Sequence, residues 1–327
     1  MTQRFSSEHE LNNQQLTDFW QQVSQQQLIC RDQLKLAYAY IHHPDNNKAI
    51  VISNGRVESY IKYRELMYDL YQQGYSVYAI DHRGQGLSQR QTSNPHQGFV
   101  ANFDDYVDDL ELFVEQVVLP QQHEQLYLLA HSMGSAIATL LLQRQPNWFN
   151  SAVFSAPMFG IKLPVHKQFI LWLARRLNRC KSQGALYHCN YVLGGSDYDA
   201  PSFADNHLTH SQLRYQDYRN TYAQTPSVQL GSPTNHWLIE AIVAADKCVE
   251  ISAAIKTPRL ILQASEDKIV CNSAQDASLN DMCHKVVVQG SSHEVFIESD
   301  SMRDFALNKA LSFMSQHSMK AATESTA

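Results

Sequence analysis

Ala130-His131-Ser132-Met133-Gly134 sits where two contrasting patterns meet. Leu126-Tyr127-Leu128-Leu129-Ala130 before it is short, apolar and strand-like, and Ala136-Ile137-Ala138-Thr139-Leu140-Leu141-Leu142 after it is helix-like. A serine on the sharp turn between a strand and a helix is a nucleophile elbow: the turn holds Oγ exposed, and small neighbours make the turn feasible. The helix N-terminus also aims the Met133 N–H at the space where an oxyanion would form. Gly134 spares that turn a side-chain clash. The usual G-x-S-x-G pattern is broken at its first position by Ala130, the smallest replacement. A serine after a strand can also simply cap a helix, but strand, turn and helix together favour the nucleophile.

A serine hydroxyl needs a base, and the base an orienting acid. In an elbow-based hydrolase these follow in the order serine, acid, histidine, on loops after late strands. Leu260-Ile261-Leu262-Gln263 leads into Ala264-Ser265-Glu266-Asp267, so Asp267 is the expected acid and Glu266 its rival. Val286-Val287-Val288-Gln289 leads into Gly290-Ser291-Ser292-His293. His293 is therefore the expected base among fifteen histidines, while His131 is expected to pack against the elbow. Ser53-Asn54-Gly55-Arg56 follows an early strand, where a loop can supply a second oxyanion donor; the N–H of Arg56 is the candidate, with a plain turn as the alternative. Asp81-His82-Arg83-Gly84-Gln85-Gly86-Leu87-Ser88 carries two glycines but neither the third glycine nor the later acid of a dinucleotide site. It reads as a structural turn beside the active site. No metal or organic cofactor is implied.

Those residues need a scaffold. Strand-like runs at Leu36–Ile41, Ala49–Ser53, Val77–Ile80, Leu126–Ala130, Ala152–Ser155, Leu260–Gln263 and Val286–Gln289 alternate with helix-like patterns. Tyr106, Leu110, Phe113 and Val117 mark one buried helical stripe with Asp104, Asp105, Asp108 and Asp109 around it. This alternation predicts an α/β fold, a mostly parallel sheet wrapped by helices. After Pro157 the strand signals fade until Thr257. The expected organisation is a first part of the core over 1–157, a helical cap insertion over 158–256, a second part of the core over 257–315 and a disordered tail over 316–327.

Five ordered motifs resemble the monoacylglycerol lipase and lysophospholipase branch of the α/β hydrolases. They are N-G-R-x-E-S at 54–59, D-H-R-G-Q-G-x-S at 81–88, H-S-M-G at 131–134, S-E-D at 265–267 and S-H-E at 292–294. Asn54, where many relatives carry histidine, and Ala156-Pro157-Met158-Phe159-Gly160-Ile161 resemble the bacterial lysophospholipase subgroup of the L-two type. The resemblance implies the α/β-hydrolase fold with its cap, release of a fatty acid from a lysophospholipid, and peripheral association with the inner membrane.

Composition sets outer bounds. With 327 residues, 44% hydrophobic and 18% charged, the chain matches an ordinary globular protein. A net charge of −6 argues against nucleic acid as a partner. No apolar run of about eighteen residues would span a bilayer, and the polar start resembles no signal peptide. The six cysteines form no C-x-x-C pair, so free thiols in a reducing cytoplasm are expected. As partners, the resemblance implies a lipid substrate and contact with an anionic membrane surface, and no obligate protein partner is evident.

Between Lys162 and Lys181 lie six basic and no acidic residues. Phe169, Ile170, Leu173 and Leu177 are expected on one helical face, and Lys167, Arg175, Arg176 and Arg179 mostly on the other. Such a helix suits a membrane surface or a lipid phosphate, or else it packs on the core with a solvated basic face. Tyr215, Tyr218 and Tyr222 recur at helical spacing and, with Trp237, either line an acyl tunnel or pack. The first cap helix is basic, which argues against an aminopeptidase, since that activity needs cap carboxylates for an α-amino group. A monoacylglycerol lipase, another esterase, an acyltransferase and a non-catalytic binder of the same fold remain as rivals.

Overall fold

The apolar runs pair into one eight-stranded sheet in the computed structural model, which describes residues 5–45 and 47–318. Its strands in chain order are β1 (Ser24–Ile29), β2 (Lys35–Ile41), β3 (Lys48–Ser53), β4 (Ser76–Ile80), β5 (Gln125–His131) and β6 (Ser151–Ser155). A separate hairpin, β7 (Lys181–Gln183) and β8 (Leu186–His188), follows, and β9 (Arg259–Ala264) and β10 (Cys283–Val288) complete the sheet. The spatial order is β1-β2-β4-β3-β5-β6-β9-β10, with β2 antiparallel to both its neighbours and every other pair parallel. Parallel strands covered on both faces read as near-continuous apolar runs, and all residues of β4, β6 and β9 are buried, the few polar ones such as Arg259 and Gln263 included.

The helices are α1 (Gln14–Gln22), α2 (Arg64–Gln72), α3 (Phe103–Phe113), α4 (Met133–Arg144), α5 (Lys167–Leu177), α6 (Gln212–Gln224), α7 (Asn235–Ile251), α8 (Asn272–Ala277) and α9 (Asp300–Gln316). None of those described is long and apolar enough to cross a membrane. The expected stripe lies on α3, where Tyr106, Leu110 and Phe113 are buried, and a π turn carries the chain through Val117. The acidic residues around it are ion-pair partners as well as a helix start: Asp109 meets Arg83 at 2.6 Å and Asp108 meets Arg144 at 2.5 Å. Strand β6 pairs directly with β9 although α5, the hairpin, α6 and α7 lie between them in sequence. That segment is an insertion into the sheet, and α7 returns to pack on α4 and α3.

All seven strand-like runs lie in the sheet, with ends moved by a few residues. Strand β1 went unread because Ser-Gln-Gln-Gln-Leu-Ile has no apolar alternation; it is an edge strand held by backbone pairing to β2 from Ser24↔Tyr40 to Ile29↔Lys35. Three expectations need correction. Cys180 and Cys189 are joined in a disulfide across the β7–β8 hairpin, because antiparallel pairing brings their Cα atoms to 4.0 Å; the other four cysteines are free thiols. On α5, Phe169 is exposed rather than packed, and its ring lies 5.7 Å from that of the equally exposed Trp172. Leu171 and Ala174 are the buried residues instead, since α5 meets α7 along a stripe set by the partner helix and not by hydrophobicity alone. Gln316 still belongs to α9, while residues 319–327 of the expected tail lie outside the described residues.

Candidate active site

Ser132 ends the turn from β5 into α4 with φ +50° and ψ −117°, a backbone region that side chains rarely adopt. The turn is this sharp because α4 starts against the end of β3. A Cβ on Gly134 would stand 2.1 Å from the Ser53 carbonyl oxygen and 2.5 Å from that of Asn54, so only glycine fits. The Ala130 methyl, by contrast, is accommodated in the core.

Strand β10 and the loop after it bring His293 to the serine, and the loop after β9 brings Asp267 to the histidine. His293 Nε2 is 3.0 Å from Ser132 Oγ, and His293 Nδ1 is 2.7 Å from Asp267 Oδ2. Because a carboxylate only accepts, Nδ1–H donates to Asp267 and Nε2 is left to accept the serine proton. Asp267 Oδ1 also accepts from the N–H groups of Ile269 (2.7 Å) and Val270 (2.9 Å). Burial opposes its ionisation, but His293 and these N–H groups outweigh it and hold the carboxyl below its usual range. Glu266 points away: its side chain is 61% exposed and, among the described residues, its ion-pair partner is His210, at 3.9 Å. His131 packs its ring 4.7 Å from that of His293 and bonds through Nδ1 to the Ser155 carbonyl (3.1 Å). Burial depresses its pKa to about 4, so it is neutral.

The Asn54-Gly55-Arg56 loop lies against the elbow, since a Cβ on Gly55 would be 2.8 Å from the His131 ring and 3.3 Å from Ser132 Cβ. Among the described residues, neither the Arg56 N–H nor the Met133 N–H is spent on a protein acceptor. What holds this loop was not legible in the motif. Gln85 Nε2 donates to Asn54 Oδ1 (3.2 Å), Gly55 O (2.7 Å) and Glu58 O (3.1 Å). Asp81, fully buried, accepts from Asn54 Nδ2, Ser59 Oγ and the N–H groups of Tyr60 and Leu87. Burial outweighs those bonds and raises its pKa to about 6. The turn at 81–88 is thus the brace of the loop. Its Gly86, at φ +54°, is needed because a Cβ would strike the Asp81 carboxylate at 2.1 Å.

A second unread cluster is Glu58, Lys62 and Glu294. Lys62 Nζ donates to Glu58 (2.9 Å) and Glu294 (2.5 Å), and Glu58 Oε2 accepts from the Gly55 N–H (2.6 Å) and Tyr63 hydroxyl (2.6 Å). Ser132 and His293 open onto a cavity of about 300 Å³ whose apolar lining includes Met158, Ile161, Trp237, Leu238 and Val270. Met158, Ile161, Leu208, Pro233, Trp237 and Leu238 of the inserted segment contribute to that lining. The arrangement suits a nucleophilic attack by a hydroxyl relayed through a histidine.

Such a fold and constellation define an α/β-hydrolase. The sequence matches the family described as serine aminopeptidase, S33, over residues 44–300, and the chain belongs to that family. It is an ester hydrolase by its relatives. It is 37% identical to Lysophospholipase L2 of Escherichia coli (strain K12) over 320 residues, which covers 95% of this chain and 93% of that one. Against Phospholipase YtpA of Bacillus subtilis (strain 168) it is 25% identical over 277 residues, 82% of this chain and 95% of that one. The crystal structure of Paleococcus ferrophilus monoacylglycerol lipase superposes with a TM-score of 0.65 at 20% identity, covering 86% of this chain and 99% of that one. This last likeness speaks for the fold.

Proposed function

We propose that the chain hydrolyses the acyl ester of lysophospholipids through an acyl-enzyme on Ser132. One observation carries the reading: the hydrogen-bonded line Asp267–His293–Ser132 ends in a cavity of about 300 Å³ with an apolar lining. His293 takes the Ser132 proton as Oγ attacks the acyl carbonyl carbon, and Asp267 holds the resulting imidazolium. The N–H groups of Met133 and Arg56 take the oxyanion. Collapse expels the glycerol oxygen, which receives the proton from His293. Water, deprotonated by His293, then attacks the acyl carbon and frees the fatty acid and Ser132.

Support for the substrate class comes from the relative named Lysophospholipase L2 and from the cavities. A neighbouring cavity of about 370 Å³, lined by Phe159, Leu163, Val165 and Ile242 together with Lys162, Lys167 and Asp246, shares Ile161 with the catalytic cavity and gives an acyl chain somewhere to go. In this reading residues 158–256 act as the cap. The same reading has the protein working in the cytoplasm at the inner membrane, with exposed Phe169 and Trp172 beside Arg175 and Arg176 as the contact.

The test is fatty-acid release from lysophosphatidylethanolamine and from monoacylglycerol of the same acyl length, for wild type and Ser132→Ala. Faster release from the lysophospholipid, absent in the variant, is the expected result. A preference for the neutral glyceride would overturn the substrate class and leave the mechanism standing.

A further inference from the structure

Beside the catalytic cavity lies another of about 330 Å³. The two share Arg56, Val57, Leu208, Pro233 and Glu294, so they adjoin along one wall. Its own lining adds polar groups that the catalytic cavity lacks: Arg219, Tyr198, Tyr218 and Tyr222, with Asp197 and Asp199.

Arg219 has no carboxylate within ion-pair distance among the described residues. It is instead caged by rings, its guanidinium carbon 4.9, 5.1 and 5.9 Å from the centroids of Tyr215, Tyr218 and Tyr198. One Nη donates to the Tyr198 hydroxyl (3.2 Å) and the other to that of Tyr215 (3.0 Å). A guanidinium has five N–H donors, two of them on each Nη. Each terminal nitrogen therefore keeps one N–H, on a side chain already immobilised. That is the fork that grips a phosphate through two parallel bonds. Arg56 adds a second unpaired positive charge to the same cavity: it donates to the Gly231 carbonyl (2.5 Å) and lies 5.1 Å over the Trp237 ring. Burial lowers its pKa only to about 10, which leaves it charged at neutral pH. Lys62, the other cation lining this cavity, is spent on Glu58 and Glu294.

We propose that this cavity is the headgroup subsite, and that Arg219 binds the phosphate of a phosphate–amine ester whose acyl bond lies at Ser132. The proposal rests on the lysophospholipid reading and extends it. The acyl chain runs toward Ile161 and the apolar side, and the glycerol passes Arg56 and Glu294 along the shared wall. The phosphate then sits on Arg219. Asp197 and Asp199 set the sign of what lies beyond: they suit the ammonium of a zwitterionic group and repel a dianion. Asp197 already accepts from Tyr191 and Asn94, whereas among the described residues the Asp199 carboxylate bonds only its neighbour's N–H, from Ala200.

Two arms test it on the full chain. In the first, kcat/KM is measured for lysophosphatidylethanolamine and for monoacylglycerol of the same acyl length, in wild type, Arg219→Gln and Arg219→Lys. The ratio of the two should fall about 10- to 150-fold in Arg219→Gln, the loss of a charged hydrogen-bond pair, and less in Arg219→Lys. An unchanged ratio overturns the subsite, whether both rates persist or both fall together. If the wild type itself shows no lysophospholipid preference, it is the substrate reading that fails. In the second arm, soluble glycerophosphoethanolamine and inorganic phosphate compete against p-nitrophenyl butyrate. Inhibition by the former, weaker by the latter and lost in Arg219→Gln, supports a headgroup site; equal or stronger inhibition by inorganic phosphate overturns it in favour of a free-anion site. Labelling of Ser132 by a fluorophosphonate at the wild-type rate shows that each variant is folded.

Discussion

Replacing Asp267 by asparagine keeps the shape of the triad and inverts one hydrogen bond. Asp267 faces three donors: the N–H groups of Ile269 and Val270 on Oδ1, at 2.7 and 2.9 Å, and His293 Nδ1 on Oδ2, at 2.7 Å. An asparagine has one acceptor oxygen and two N–H donors. If its oxygen stays on the two backbone groups, its NH₂ faces His293 Nδ1. If the amide turns over, the NH₂ meets two buried N–H groups instead, each left unsatisfied at about 1–3 kcal/mol. The first arrangement therefore wins, and it pulls the imidazole proton to Nε2. Nε2 is the atom 3.0 Å from Ser132 Oγ, and once protonated it donates there and cannot accept. A wrong-tautomer imidazole in a Ser-His-Asp triad loses about 10⁴-fold in kcat, equivalent to about 5.5 kcal/mol of transition-state stabilisation. The assay is kcat on p-nitrophenyl butyrate for Asp267→Asn and Glu266→Gln, with thermal melts to confirm folding. The Glu266 side chain is 61% exposed, so Glu266→Gln should stay within about twofold of wild type. An Asp267→Asn enzyme that keeps more than a tenth of the wild-type rate, or an equal loss in Glu266→Gln, would refute the assignment of the orienting acid.

Gln85→Leu removes the donor shared by Asn54, Gly55 and Glu58, and should lower kcat about 5- to 150-fold with KM little changed, because the loop carrying the Arg56 N–H loses its brace. Steady-state kinetics on a short-chain ester reads the split. His131 is buried with its pKa lowered from 6.5 to about 4, so its neutral form contributes stability that is fully present above pH 6.5 and is lost as pH falls toward 4. In His131→Asn that loss is absent, and the Tm gap between wild type and variant should narrow across this window in scanning calorimetry; a constant gap would mean that His131 does not titrate between the folded and unfolded states.

What the sequence by itself determined was the set of chemical parts and the sheet that carries them. Strand, turn and helix around Ser132 are local, written in neighbouring residues, and so were the late loops bearing Asp267 and His293. Buried parallel strands are near-continuous apolar runs, which is why β3, β5, β6 and β9 were legible from their central residues. Strand β1 was not, because an edge strand is held by backbone pairing and three glutamines satisfy that as well as valines do. Tertiary structure decided everything that depends on distant residues meeting. It chose Asp267 over Glu266, since the two are neighbours in sequence and only the path of the loop turns one toward His293. It joined Cys180 to Cys189 by folding a hairpin that the polar segment between them does not announce. It brought Gln85 to the Asn54-Gly55-Arg56 loop at the ends of the neighbouring strands β3 and β4, and left Arg219, among the described residues, without a carboxylate at ion-pair distance in a ring of tyrosines drawn from separate parts of the insertion. Periodicity names the face of a helix, but the partner surface decides what that face touches, as Phe169 on α5 shows.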